Sequence, residues 1–141
     1  MTNSQRLHET RVQHEVPFHD ADPLAVAWHG HYYKYFELAR TQLLRGLRLD
    51  GQELLNLNYR FLVSESQCRH IQALSYAEVF EVSAWVREYT HRIFIEYEIR
   101  SLTHDRRCAT GFTKLITINA ANELLIRTPQ IIQDRITEGS S

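Results

Sequence analysis

Cysteine is scarce in this sequence: two of its 141 residues, Cys68 and Cys108, carry a thiol. They have neither a C-x-x-C partner nor the spacing of a zinc site, which disfavours a disulfide framework and a thiolate metal site. No apolar run approaches the roughly 18–20 residues that cross a bilayer, and residues 1–10 lack the apolar core of a signal peptide. These absences predict a soluble, cytoplasmic protein with no membrane partner.

An excess of charge of one sign is also missing. The chain has 16 Lys and Arg against 17 Asp and Glu, a formal net charge of −1. Its overall charge therefore gives no attraction to nucleic acid. Hydrophobic residues make up 43% of the chain, enough for a core, and its length fits one domain. We expect a single domain over residues 1–141, with no nucleic-acid partner.

Three common catalytic signatures are absent as well: a Gly-rich phosphate loop, G-x-S-x-G and H-E-x-x-H. A covalent mechanism based on Ser or Cys therefore has no local support. Acidic, histidine and aromatic side chains concentrate instead in residues 18–40, FHDADPLAVAWHGHYYKYFELAR. This segment lies where one predicted element gives way to the next.

Periodicity predicts a strand followed by a long helix in the first third of the chain. Val12, Val16 and Phe18 alternate with other residue types, which predicts a strand of about seven residues that ends at 20–23. The pattern then becomes helical from about residue 30 and stops near Gly46 or at Asp50-Gly51. The apolar stripe of this helix consists of Tyr32, Phe36, Ala39, Leu43 and Leu47.

The rest of the chain reads as strands joined largely by hairpins. The predicted strands cover residues 59–71, 80–87, 93–100 and 108–119, residues 129–136 predict a short helix, and the final Gly-Ser-Ser is expected to fray. Hairpins imply an antiparallel sheet with the helix on one face, an α+β arrangement. Because one helix cannot cover both faces of five strands, and Trp85 and Phe94 need cover, we expect a homo-oligomer.

The cluster formed by Asp20, Asp22, His29 and His31 allows a metal-dependent interpretation. Two carboxylates and two imidazoles are suitable metal ligands. However, positions 29 and 31 of one helix point about 200° apart. Both histidines could therefore face one ion only if His29 precedes the regular helix.

A carboxylate beside a helix N-terminus is the alternative interpretation. The first N–H groups of a helix have no internal partner and carry a partial positive charge, so a helix starting near His29 could polarise a carbonyl oxygen. Asp22, restricted to a turn by Pro23, could act on that carbonyl as nucleophile or general base. It could equally serve only as the cap of the Asp-Pro-Leu turn, and spacing alone leaves both roles open.

Residues 20–40, DADPLAVAWHGHYYKYFELAR, resemble the signature of hotdog-fold acyl-CoA thioesterases of the 4-hydroxybenzoyl-CoA thioesterase type. That signature reads approximately D-x-D-x-x-G-x-V-x-[FYWH]-x-x-Y-x-x-[YFW]-x-[DE]-x-[AS]-R. The order of predicted strands agrees with the same family over nearly the full length. The resemblance implies a five-stranded antiparallel sheet wrapped around a long central helix.

The resemblance also implies a function and its residues. The family hydrolyses acyl-CoA or acyl-carrier-protein thioesters to a free acid and a thiol without metal or other cofactor, in dimers or tetramers with active sites at subunit interfaces. Its catalytic carboxylate matches Asp22, and its carbonyl-polarising backbone N–H matches His29, where some relatives carry an assisting histidine side chain. Glu37 matches an acidic helix position that is structural or orients partners across the interface.

Two positions depart from the family pattern. The usual glycine of the tight turn is Ala25, which could crowd the site. Relatives with the assisting histidine often have a tyrosine where this chain has Phe18, so a mechanism that uses a phenol has no residue here. More weight therefore falls on Asp22 and His29.

Three further residues are candidates for substrate binding: Trp28 and Tyr32 as walls of an acyl pocket, and Glu37 on the helix. We also expect basic residues near the turn at 88–92 to bind the phosphates of CoA. Hotdog proteins host several reactions, so a hotdog dehydratase and a non-hydrolytic acyl-thioester binding module remain alternatives. Neither the acyl group nor the thiol carrier follows from the residues.

Overall fold

The computed structural model describes residues 6–138, and the terminal Gly-Ser-Ser expected to fray lies outside them. Five strands and three helices account for most of this range. They follow one another as β1 (Leu7–Glu15), α1 (His31–Gly46), α2 (Gly51–Asn56), β2 (Arg60–His70), β3 (Val79–Glu88), β4 (Ile93–Ser101), β5 (Arg106–Ile118) and α3 (Gln130–Glu138).

The strands form one antiparallel sheet in the order β1-β3-β4-β5-β2. Strands β3, β4 and β5 are joined by two hairpins, as predicted. The connection at 71–78 is different, because it carries the chain from β2 at one edge of the sheet to β3 on the far side of β4 and β5. No local sequence pattern indicated this crossover.

Helix α1 packs against the inner face of the sheet, next to β1 and β3. Its ring of Phe36 stacks on that of Tyr97, with centroids 4.5 Å apart and planes 5° apart. Gly111 makes room for this pair, since a Cβ there would lie 2.5 Å from the Phe36 ring. The inner face of β3 and β4 is fully buried at Phe80, Val82, Ala84, Val86, Ile93, Ile95, Tyr97 and Ile99.

The predicted α+β fold, a five-stranded antiparallel sheet around one long helix, is thereby confirmed. Burying each large apolar side chain against α1 contributes about 1.5–3 kcal/mol, which explains why the helical stripe was a reliable signal. Within residues 6–138, no helix is both long enough and apolar enough to span a membrane.

Two elements differ from the prediction. Strand β1 runs from Leu7 to Glu15 and does not continue to Phe18. Pro17 has no N–H for the ladder, and residues Phe18–Asp20 form a 3-10 turn in which the N–H of Asp20 donates to the carbonyl of Pro17 at 3.0 Å. Phe18, expected on a buried strand face, is 77% exposed. Helix α2 was not predicted, since Gly51 read as a stop signal and six residues are too few for a clear period.

The outer face of the sheet provides part of its own cover. Trp85 is 6% exposed, with the Arg6 guanidinium 3.7 Å above its ring. Its Nε1–H donates to Glu96 at 3.0 Å. Side chains of the same chain therefore shield Trp85 from solvent. Trp85 thus needs no second subunit to be buried, and the homo-oligomer stays a prediction.

Candidate active site

The segment between β1 and α1 folds into a small antiparallel hairpin, residues 20–28, called here the 20–28 hairpin. The N–H of Asp22 donates to the carbonyl of Val26 at 2.8 Å, and the N–H of Trp28 donates to that of Asp20 at 3.1 Å. At the tip, the N–H of Ala25 donates to the carbonyl of Asp22 at 2.8 Å. Pro23 favours this tight turn because its φ is fixed by the ring.

The 20–28 hairpin is attached to the crossover between β2 and β3. The N–H of Ala27 donates to the carbonyl of Leu74 at 2.7 Å, and the N–H of Tyr76 donates to that of Ala25 at 2.9 Å. Backbone hydrogen bonds thus fix the second strand of the hairpin to the crossover.

Asp20 lies at the base of the hairpin and is 1% exposed. Its carboxylate accepts hydrogen bonds from Lys34 Nζ at 2.7 and 2.8 Å and from the Tyr35 hydroxyl at 2.8 Å. Burial alone would raise the pKa of Asp20, but the bonds from Lys34 and Tyr35 and the charge of Lys34 together lower it. Asp20 is therefore a charged anchor that ties the hairpin to α1.

Asp22 lies at the tip of the hairpin and is partly exposed. Its Oδ1 accepts hydrogen bonds from the N–H of Leu24 at 2.8 Å and, more weakly, from that of Val26 at 3.4 Å. The turn-capping role is therefore present. Within residues 6–138, Oδ2 has no hydrogen-bond partner and the carboxylate has no ion pair, so one oxygen remains open.

Helix α1 begins at His31, and His29 lies two residues before it. The N–H of His31 donates to the carbonyl of Trp28 at 2.9 Å, and that of Tyr32 donates to the carbonyl of His29 at 3.3 Å. In the part of the chain that the structure describes, the N–H groups of His29 and Gly30 have no acceptor, and no side chain caps the helix. Two unpaired donors therefore stand at its start.

Trp28 folds back over this start. A Cβ added to Gly30 would lie 2.3 Å from the Trp28 ring, so only glycine permits the close approach. The ring also contacts those of His29 and His31, with centroids 5.1 and 5.4 Å away. Trp28 remains 52% exposed and therefore offers a surface to a ligand.

A pocket of about 220 Å³ opens beside His29. Tyr32 forms its floor: the side chain is 2% exposed, and its hydroxyl accepts the N–H of Leu74 at 3.1 Å. Burial raises the pKa of Tyr32, so the phenol stays neutral. The pocket is lined by Ala27, His29, Tyr32, His70, Ile71, Gln72 and Ala73.

The structure thus brings Trp28, His29 and Tyr32 together, whereas two other candidates lie apart. Asp22 does not line the pocket. At about 3.3 Å per residue along the hairpin, its backbone lies roughly 7–10 Å from that of His29. Glu37 is exposed on α1 in a separate groove with Lys34 and Arg45, so within one chain it is remote from the His29 pocket.

Two other chemistries are disfavoured by the arrangement of side chains. Within residues 6–138, no three His, Cys, Asp or Glu side chains converge as a metal-binding set. Cys68, near the pocket, is not an activated thiol, because burial raises its pKa to about 11.

Comparison with known families agrees with the fold. Residues 16–136 match the Thioesterase-like superfamily, and the chain belongs to this superfamily. A Synechocystis protein, provisionally named an esterase, is 26% identical over 121 residues, which are 84% of this chain and 72% of that protein.

Two solved structures share the fold. The DHNA-CoA thioesterase from Staphylococcus aureus has a TM-score of 0.78 at 24% identity, over 89% of this chain and 85% of that one. A 1,4-dihydroxy-2-naphthoyl-CoA thioesterase from Synechocystis has a TM-score of 0.80 at 16% identity, over 92% and 96%. These likenesses confirm the hotdog thioesterase architecture, while the 4-hydroxybenzoyl-CoA subtype stays a prediction.

Proposed function

We propose that the chain hydrolyses an acyl thioester of CoA or of an acyl carrier protein to a free acid and a thiol. The observation that supports this most directly is the arrangement of one open acceptor and two unpaired donors at opposite ends of the 20–28 hairpin. One carboxylate oxygen of Asp22 is open at its tip, and the N–H groups of His29 and Gly30 are unpaired just beyond its base.

The two donors would hold the carbonyl oxygen of the thioester. Hydrogen bonds from preorganised N–H groups strengthen as negative charge develops on that oxygen in the transition state. The separation of roughly 7–10 Å along the hairpin leaves room for a carbonyl group contacted at about 3 Å from each side.

Asp22 would act on the carbonyl carbon in one of two ways. As nucleophile, its open oxygen forms an anhydride, the C–S bond breaks to release the thiolate, and water then hydrolyses the anhydride. As general base, it takes a proton from water while the water oxygen attacks, and the proton passes to the departing sulfur. Both routes yield one acid and one thiol.

A groove of about 410 Å³ at the 88–92 turn supports the expectation that CoA phosphates bind there. Arg92 and Lys114 line it together with Glu88 and His91; Lys114 Nζ pairs with Glu65 at 3.2 Å and lies 5.3 Å from the centroid of the Phe94 ring. Cationic groups suit phosphates, and an aromatic face suits an adenine ring. Because this groove shares no lining residue with the His29 pocket, we expect a homodimer or homotetramer in which two subunits complete each site.

Free thiol release from a panel of acyl- and aroyl-CoA and acyl-carrier-protein thioesters tests this proposal. Asp22→Asn should lower kcat by about 10²–10⁴-fold, since it removes the base or nucleophile but keeps the Oδ1 that accepts the Leu24 N–H. Asp134→Asn, at an exposed position of α3, is the matched control and should keep the native rate.

Three results would contradict the proposal. A native rate in Asp22→Asn would remove Asp22 from the reaction. Tight binding of CoA thioesters without any thiol release would instead favour a non-hydrolytic binding module. Addition of water to an enoyl thioester would favour a dehydratase.

A further inference from the structure

His70, the last residue of β2, was not selected by any sequence pattern, yet it reaches the start of α1. Its Nε2 lies 3.3 Å from the carbonyl oxygen of His29, which is 41 residues away in the chain. A carbonyl oxygen can only accept, so this hydrogen bond requires the ring proton on Nε2. Cys68 Sγ lies 3.6 Å from the same nitrogen, and with the ring proton on Nε2 this sulfur can act only as a weak second acceptor.

The imidazole of His70 is held by aromatic contacts. Its centroid lies 4.6 Å from that of the buried Tyr32 ring, whose hydroxyl is fixed by the Leu74 N–H. The His29 ring meets it edge-on, with centroids 6.0 Å apart and planes 87° apart. These contacts keep Nε2 directed at the His29 carbonyl.

The His29 carbonyl and the Gly30 N–H belong to one planar peptide unit. A donor at the carbonyl therefore fixes the rotation of that plane, and it also polarises the N–H at the opposite end. The other donor to this carbonyl, the Tyr32 N–H, lies at the same distance of 3.3 Å. Gly30 has no side chain that could restrict the peptide, so the bond from His70 adds a side-chain constraint on its direction to the one that the helix backbone provides.

We propose that His70 is a positioning residue, which holds the His29–Gly30 peptide so that the Gly30 N–H faces the thioester carbonyl oxygen. The inference rests on the proposed function for its catalytic consequence. His70 itself need not touch the substrate, because it acts through the peptide bond.

Two substitutions of His70 distinguish the role of its N–H donor from the role of its aromatic ring. His70→Phe keeps an aromatic ring on Tyr32 but removes the donor, whereas His70→Gln loses the ring and keeps an N–H donor. Losing one hydrogen bond of ordinary strength should lower kcat about 3- to 10-fold with KM unchanged. His70→Gln should restore much of kcat. His104→Phe replaces an exposed histidine of the β4–β5 turn and should keep native kinetics.

The amide proton of Gly30 gives a readout that does not depend on turnover. Its NMR resonance should move upfield in His70→Phe, because the peptide loses polarisation, and should stay near its native position in His70→Gln. Thermal unfolding of the variants verifies that each has folded.

The inference fails alone if the native chain releases thiol but His70→Phe keeps the native kcat, or if the Gly30 resonance does not move. It also fails if KM rises while kcat stays constant, since His70 would then contact the substrate. If the native chain turns over no thioester, the proposed function fails and the positioning role fails with it, whatever the resonance shows.

Discussion

The two ends of the 20–28 hairpin each carry an aspartate, and the two side chains have opposite environments. At the base, Asp20 is 1% exposed and is bonded to Lys34 and Tyr35. At the tip, Asp22 is partly exposed, and its Oδ2 has no partner within residues 6–138. A fully satisfied carboxylate is a poor nucleophile or base, because the interactions that stabilise its charge must be given up in the reaction. The comparison indicates that Asp20 supplies position and Asp22 remains available for chemistry.

Among the tests of this comparison, the largest expected effect is on the free energy of unfolding. Asp20→Asn should lower the free energy of unfolding by about 2–3 kcal/mol, since it removes the charge that satisfies Lys34 and one acceptor of the Tyr35 hydroxyl. Asp22→Asn should cost less than about 1 kcal/mol, because Asn keeps the turn-capping oxygen. Urea unfolding of both variants measures the difference. Equal losses of unfolding free energy would show that Asp20 does not anchor the hairpin more strongly than Asp22.

Acid should weaken the anchoring of the hairpin by Asp20. We expect its effect on the free energy of unfolding to be smaller than that of Asp20→Asn. Burial raises the pKa of Asp20, but the bonds to Lys34 and Tyr35 and the charge of Lys34 together lower the pKa by more than burial raises it. The folded-state pKa therefore lies below the reference value of 3.8. The stability that this carboxylate contributes is present above pH 3.8 and is lost as the pH falls through the folded-state pKa. The gap in unfolding free energy between the native chain and Asp20→Asn should therefore narrow below pH 3.8. A gap that stays constant would show that ionisation of Asp20 is irrelevant.

The smallest expected effect concerns the tip. Ala25 adopts φ 66°, a left-handed conformation that costs a non-glycine residue about 1 kcal/mol. Ala25→Gly should therefore stabilise the chain by up to that amount, reduced by the entropy that glycine loses on folding. Thermal unfolding measures the gain.

Ala77→Gly is the matched control for the tip, since exposed Ala77 adopts φ 70° in the crossover. Both variants should gain similar stability, but only Ala25→Gly should alter kcat, because it changes the turn that carries Asp22. An equal kcat in both would mean that the conformation of the tip does not affect the reaction.

Local patterns identified most of the regular elements but missed α2, which has 6 residues. The stripe from Tyr32 to Leu47 identified α1, and strict alternation identified β3 and β4, because burial on one face imposes the period of the element. The alternation failed as a signal at the end of β1. Phe18 continues the alternation, but Pro17 has no N–H for the ladder and Phe18 opens a 3-10 turn.

The candidate site was only partly predictable. The resemblance selected Asp22 over Asp20, and Pro23 indicated a turn there, but not the hairpin that contains it. The anchoring of Asp20 needed the fold, because Lys34 and Tyr35 reach it only when α1 packs beside the hairpin. His70 carried no local signal, since its link to His29 spans 41 residues.

The sequence by itself determined the types of the main elements, the α+β class and the segment that holds the candidate chemistry, because these depend on side-chain period and turn chemistry within a few residues. Only the tertiary structure decided that β2 lies beside β5, that Asp20 is buried and paired, and that His70 faces the peptide before α1. Those relations depend on groups distant in the chain that meet when the sheet closes around the helix, and no short-range preference encodes them.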